Sequence, residues 1–121
     1  MEDAQALLTR FFDAYNRGDW AAFSALVTAD IDWPNQTGGG RLIGQDALKA
    51  YWTENSQSIR VELAPVTFTP LPDGRIQVDL NQTVHNANTG QLWSDICVRQ
   101  TYVLRDGLVA RMDVEPLADR F

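Results

Sequence analysis

The sequence predicts an α+β domain in which three N-terminal helices pack on a curved, mostly antiparallel sheet and enclose a cone-shaped cavity. Three observations predict it. Apolar residues recur every three or four positions through the first 17 residues and again from about 45 to 56, the period of amphipathic helices. From Ile59 onward the spacing changes to alternation over long runs broken by turn residues, the pattern of strands. The face that alternation makes apolar is interrupted by amides at Gln82 and Gln100, as expected where a sheet lines a cavity.

Each element follows from its residues. Over residues 3–17, Ala4, Leu7, Leu8, Phe11, Phe12 and Tyr15 form the apolar stripe of the first helix. Gly18 can take the left-handed conformation that stops it, and Asp19 is placed to cap a second helix from Trp20 to about Val27. A strand of residues 31–35 follows, with Ile31, Trp33 and Asn35 on one face and Asp32 on the other. Gln36-Thr37-Gly38-Gly39-Gly40 reads as a rim loop, since no Lys-Ser/Thr follows the glycines as a phosphate-binding loop requires. The third helix runs from Gln45-Asp46 to Ser56, with Ala47, Leu48, Tyr51 and Trp52 on one face. Strands are then expected over 59–69, 75–86, 92–104 and 108–115, separated by turns at Pro70–Gly74, Asn88–Gly90 and Asp106-Gly107.

With 121 residues and no linker or repeat, the chain is expected to form one domain over 1–121. A net charge of −6 argues against nucleic acid and against an anionic membrane surface as partners. No apolar run approaches a membrane span, and Met1-Glu2-Asp3 does not begin a signal peptide. One cysteine, Cys97, cannot make an internal disulfide, so a cytoplasmic location is expected. The single histidine and single cysteine offer no ligand spacing for a metal, and no cofactor motif is present.

The Asn16-Arg17-Gly18-Asp19 turn, the Gly44-Gln45-Asp46-Ala47-Leu48 helix start and the order of elements resemble the nuclear transport factor 2-like superfamily, a cystatin-like α+β barrel. The closest likeness is to the SnoaL-like and ketosteroid-isomerase-like small bacterial proteins. The resemblance implies a homodimer through the outer sheet face and a ligand cavity used in some relatives for isomerisation, cyclisation or epoxide hydrolysis. Ketosteroid-isomerase chemistry does not carry over. The general-base aspartate falls at Asn35, the oxyanion-hole tyrosine at Phe11 and the second oxyanion donor near Gln100, and none of the three retains the needed group. Epoxide-hydrolase-like members resemble the chain at Trp33 and Asn35, but no Arg-x-Asp pair stands on the strand from Arg75 to Asn86. The last-strand aspartate used by SnoaL-like cyclases as acid/base corresponds to Asp113.

The face of Asp113 depends on the last hairpin. A two-residue Asp106-Gly107 turn would set Asp113 opposite Gln100 on the inner face. A three-residue turn would set Leu104 opposite Leu108 and Gln100 opposite Met112, matching apolar with apolar and turning Asp113 outward near Arg99. The second register is preferred. His85, the other candidate acid/base, alternates with Asn81 and Thr83 away from the apolar face and needs a bulge to turn inward. The expected cavity wall is Phe11, Tyr15, Trp33, Asn35, Tyr51 or Trp52, Gln82, Gln100 and Met112, suited to a small apolar or cyclic molecule. One reading is an acid/base enzyme, cyclase- or epoxide-hydrolase-like, working through Asp113 or His85; a second is a non-catalytic ligand-binding or dimerisation module. A third is a partner-binding subunit of a larger enzyme that would use the exposed sheet face around Trp93.

Overall fold

The structure, a computed structural model, describes residues 2–36 and 38–117. Its elements are α1 (Glu2–Arg17), α2 (Trp20–Ser24), β1 (Val27–Pro34), β2 (Arg41–Ile43), α3 (Gln45–Ser56), β3 (Ile59–Pro70), β4 (Ile76–Asn86), β5 (Leu92–Arg105) and β6 (Leu108–Pro116). The six strands form one sheet in the order β2-β1-β6-β5-β4-β3. Only β1 and β6 run parallel; the other neighbours are antiparallel.

Local chemistry sets the boundaries. Gly18, at φ +70°, ends α1, and the Asp19 carboxylate accepts a hydrogen bond from Ala22 N at 3.1 Å to start α2. Sequence reading carried α2 to Val27, but it stops at Ser24 because Val27 already pairs with Val109 of β6. Thus β1 begins four residues before its expected start, and tertiary pairing overrides local helix preference. The three-residue strand β2 was not anticipated. It folds back on β1, with Asp32 opposite Ile43 and Pro34 opposite Arg41. Thr37, in the glycine-rich connection, lies outside the described residues.

Both registers considered for the last hairpin are corrected. Asp106 and Gly107 have positive φ values of 55° and 74°, the two-residue turn that matches strand twist, and Arg105 faces Leu108. A bulge follows: Leu104 pairs with Val109 but Val103 pairs with Arg111, leaving Ala110 as the extra residue. Val109 and Ala110 are consequently both buried. Beyond the bulge Tyr102 faces Met112, Thr101 faces Asp113 and Gln100 faces Val114.

The concave face of the sheet buries Ile76, Val78, Leu80, Val98, Tyr102 and Met112 against Leu8, Phe11 and Phe12 of α1. At the free edge of the sheet, the Asn16 side chain clamps β3 to α1. Its Nδ2 donates to Leu63 O and its Oδ1 accepts from Leu63 N, both at 2.8 Å. The asparagine of the Asn-x-Gly-Asp turn thus supplies the ladder that a neighbouring strand would otherwise provide.

Candidate functional site

Between the helices and the concave face lies a cavity of about 630 Å³, within the range of small-molecule sites. Its aromatic side is built where α1, α2 and α3 meet. Tyr15 packs edge-on against Trp52 at 5.1 Å, Phe23 against Trp52 at 4.8 Å, and Phe23 edge-on against Trp33 at 6.0 Å between centroids. The sheet contributes Val61, Leu63, Gln82, Val84, Gln100 and Met112. Exposed Arg17, Gly18, Ser56, Arg60 and Ala87 surround the open end.

The polar groups of this lining are distinctive. Gln100 is only 2% exposed and accepts a hydrogen bond from the fully buried Tyr102 hydroxyl through its Oε1. Burial pushes the Tyr102 phenol well above its ordinary pKa, so this hydroxyl keeps its proton and requires an acceptor. Burial likewise raises the pKa of Tyr15, and Tyr51 nearby adds to the effect. Tyr15 therefore offers a hydrogen-bond donor and no base at neutral pH. Tyr51 sits at the loop side, where its hydroxyl accepts from Gln36 N at 3.3 Å. No Asp, Glu or His side chain lines the cavity among the described residues.

Of the residues expected on the wall, the structure brings Tyr15, Trp33, both Tyr51 and Trp52, Gln82, Gln100 and Met112 to the cavity. Phe11 is not among the lining residues. It is fully buried behind them, within ring contact of Phe12, Phe23, Trp33 and Tyr102. Asn35 lies past the end of β1, where alternation no longer sets direction. Its Oδ1 accepts from Gly38 N at 2.8 Å and its backbone pairs with Gly39 and Gly40, so it shapes the rim turn. His85 remains on the outer face. The irregularity beside it falls on β5, where Trp93 is the extra residue between Ser94, opposite Val84, and Leu92, opposite His85; the alternation of β4 is unbroken.

Asp113 also faces outward, as the preferred register required, but through the Ala110 bulge and with different neighbours. Its carboxylate accepts from Arg111 Nε at 2.8 Å, Arg111 Nη2 at 3.0 Å and Arg41 Nη1 at 3.0 Å. Asp32 closes a ring of four charges by accepting from Arg41 Nε at 2.6 Å and Arg111 Nη1 at 3.0 Å. Arg41 further donates to Met112 O at 2.8 Å, tying β2 to β6 across β1. Arg99, the neighbour expected for Asp113, pairs instead with Asp79 at 2.8 Å.

Hydrogen bonding by Arg111, reinforced by the charges of Arg111 and Arg41, holds the Asp113 pKa below its ordinary value. A carboxyl depressed on folding contributes stability above its unfolded pKa and loses it as pH falls through the folded value. The stability gap between wild type and Asp113→Asn, measured by urea unfolding from pH 7 downward, should therefore stay constant to about pH 4 and narrow below it. A gap that instead changed between pH 7 and pH 5 would contradict this assignment.

Sequence reasoning missed Val61, Leu63 and Val84 as lining residues, although pairing β3 with β4 puts Val61 opposite Val84 and Leu63 opposite Gln82 on the concave face. It also missed Arg17, Asn55 and Ser56, which reach the cavity mouth from the C-terminal ends of α1 and α3. Only the three-dimensional meeting of those helix ends reveals them. Among the described residues no cluster of His, Cys, Asp and Glu could hold a metal ion, and no helix is long and apolar enough to cross a membrane.

Comparisons with known proteins agree with this fold. A candidate polyketide cyclase from Xanthomonas campestris pv. campestris shares 25% identity and superposes with a TM-score of 0.79 over 93% of this chain and 89% of its own. An NTF2-like protein of unknown function from Burkholderia pseudomallei K96243 gives a TM-score of 0.81 at 20% identity, covering 96% and 92% of the two chains. TerC, co-crystallised with polyporic acid, gives 0.80 at 18% identity over 94% and 91%. No curated protein matches the sequence. The model of the SnoaL-like domain matches residues 8–112. With its helices seated in the concave face of a six-stranded sheet, this chain belongs to the SnoaL-like domain family and has the NTF2-like fold.

Proposed function

We propose that the chain binds a small apolar or cyclic molecule in the cavity, and that neither Asp113 nor His85 transfers a proton to it. The observation that carries this reading is the lining itself: about 630 Å³ walled by aromatic rings, aliphatic side chains and amides, with no carboxylate or imidazole among the described residues. The two acid/base candidates stand on the opposite face of the sheet, Asp113 within its ring of arginines and His85 opposite Arg60. Similarity to a candidate polyketide cyclase and to TerC, co-crystallised with polyporic acid, supports a cyclic ligand. A second copy paired over the outer face of the sheet is part of the same proposal. Light scattering showing a 13.6 kDa particle would remove that part.

A thermal-shift and native-mass-spectrometry screen against terpenoid epoxides, steroids and aromatic polyketides tests the reading. A ligand present at about 100 times its Kd adds about 2.7 kcal/mol of stability, a readily measured shift. Val84→Trp, which fills the cavity from β4, should abolish the shift for every hit. Hits that survive Val84→Trp would place binding elsewhere. Turnover of a hit that is lost in Asp113→Asn would replace the binding reading with the acid/base enzyme.

A further inference from the structure

The cavity wall between Trp33 and Met112 is closed by a side chain. Both residues line the cavity, Trp33 from β1 and Met112 from β6, and each is at most 5% exposed. The strands that carry them are the parallel pair of the sheet, and their ladder is broken. Val27 pairs with Val109 and Asp32 with Arg111, so β1 carries more residues across the gap than β6 does. Beyond Asp32 the two strands form no further pair among the described residues.

The next bond of that ladder is missing for a chemical reason. Leu117 N donates to Cys97 O, which fixes the alternation between β5 and β6. Glu115 and Asp113 turn their backbone groups toward β5, and Met112 turns its own toward β1. The β1 residue that would meet Met112 O is Pro34, and proline has no N–H to give. Arg41, opposite Pro34 on β2, gives one in its place. Its Nη2 donates to Met112 O at 2.8 Å and to Asp32 O at 3.1 Å, so one nitrogen bridges the carbonyls of both strands. Nε and Nη1 hold that nitrogen in place by donating to the Asp32 carboxylate at 2.6 Å and the Asp113 carboxylate at 3.0 Å. The spacing of β1 and β6 behind Trp33 and Met112 therefore rests on Arg41.

We propose that Arg41 is a positioning residue for ligand binding: its carbonyl bridge sets the separation of Trp33 and Met112, and so the ring size that the cavity accepts. Arg41 is not a lining residue and acts through the two strands. This rests on the cavity being the ligand site. Without the bridge the Met112 carbonyl is left to water, which needs room between the strands, and the seam widens. Asp32 and Asp113 stay partnered, because Arg111 donates to both, so Arg41→Met should fold.

The test uses 2-naphthol and 1-hydroxypyrene, which carry the same hydroxyl on a bicyclic and a tetracyclic frame, in equilibrium dialysis against the full chain. The quantity read is the ratio of the two affinities, which a general loss of stability would not move. In Arg41→Met the ratio should shift toward 1-hydroxypyrene by roughly fivefold. Arg41→Lys keeps the charge and serves where the methionine variant fails to fold. One ammonium cannot copy a fork that spans both carbonyls and both carboxylates, so the lysine variant should shift in the same direction. Arg111→Met loosens the ring of charges but leaves the carbonyl bridge, and its ratio should stay within about twofold of wild type. An unchanged ratio in a folded Arg41 variant, a shift toward 2-naphthol, or an equal shift in Arg111→Met would overturn the role of Arg41. With both probes still expelled by Val84→Trp, the cavity would then remain the binding site. Failure of both probes to bind wild type, or binding indifferent to Val84→Trp, would overturn the cavity reading and this inference with it.

Discussion

Replacing Phe11 by alanine is expected to destabilise the fold by about 3–5 kcal/mol, a large share of the stability of a small domain. Phe11 has no exposed surface and holds four rings in register: it contacts Phe12, Phe23, Trp33 and Tyr102 at centroid distances of 5.7, 4.8, 6.0 and 5.6 Å. Removing it leaves a void bounded by rings that also define the cavity, so collapse can be only partial. Urea unfolding would show a lower midpoint with an unchanged slope. A loss below about 1 kcal/mol would mean that the surrounding rings close over the gap, against the close packing of protein interiors.

The second large effect is expected at Asn16. Alanine there removes two hydrogen bonds of 2.8 Å and leaves the Leu63 N–H and C=O without them on the edge strand, at a cost of about 2 kcal/mol. Asn16→Asp should be at least as harmful at pH 7, because a carboxylate can accept from Leu63 N but faces Leu63 O with no proton to give. Native-state hydrogen exchange separates this from a general loss of stability: protection at Leu63 should fall more than protection in β4 and β5. Equal losses throughout the sheet would show that the clamp has no local role.

The fold was legible where periodicity is long. The apolar stripe of α1, the long alternations of β4 and β5 and the cap chemistry at Gly18-Asp19 each point to one structure. What escaped was short or depended on distant partners. Arg41–Ile43 is too brief to show a period, and the early start of β1 is decided by Val109, more than 80 positions away. The site divides in the same way. Trp33, Gln82 and Gln100 reach the cavity because each lies within an unbroken stretch of strand, where alternation fixes direction. Asn35 lies one residue beyond such a stretch and turns into the rim. Phe11 shows the limit of helical faces: the stripe says inward, and only packing separates a core residue from a lining one.

The bulge at Ala110 has a consequence for how this scaffold can change. With the same two-residue turn and no bulge, Asp113 would lie opposite Gln100, inside. The acidity of the cavity is therefore governed by parity along β6 as much as by residue identity. Relocating or erasing a single irregularity could introduce a carboxylate without altering any side chain. Relatives that differ by one residue between the hairpin turn and this aspartate could present opposite chemistries while their aligned columns look alike.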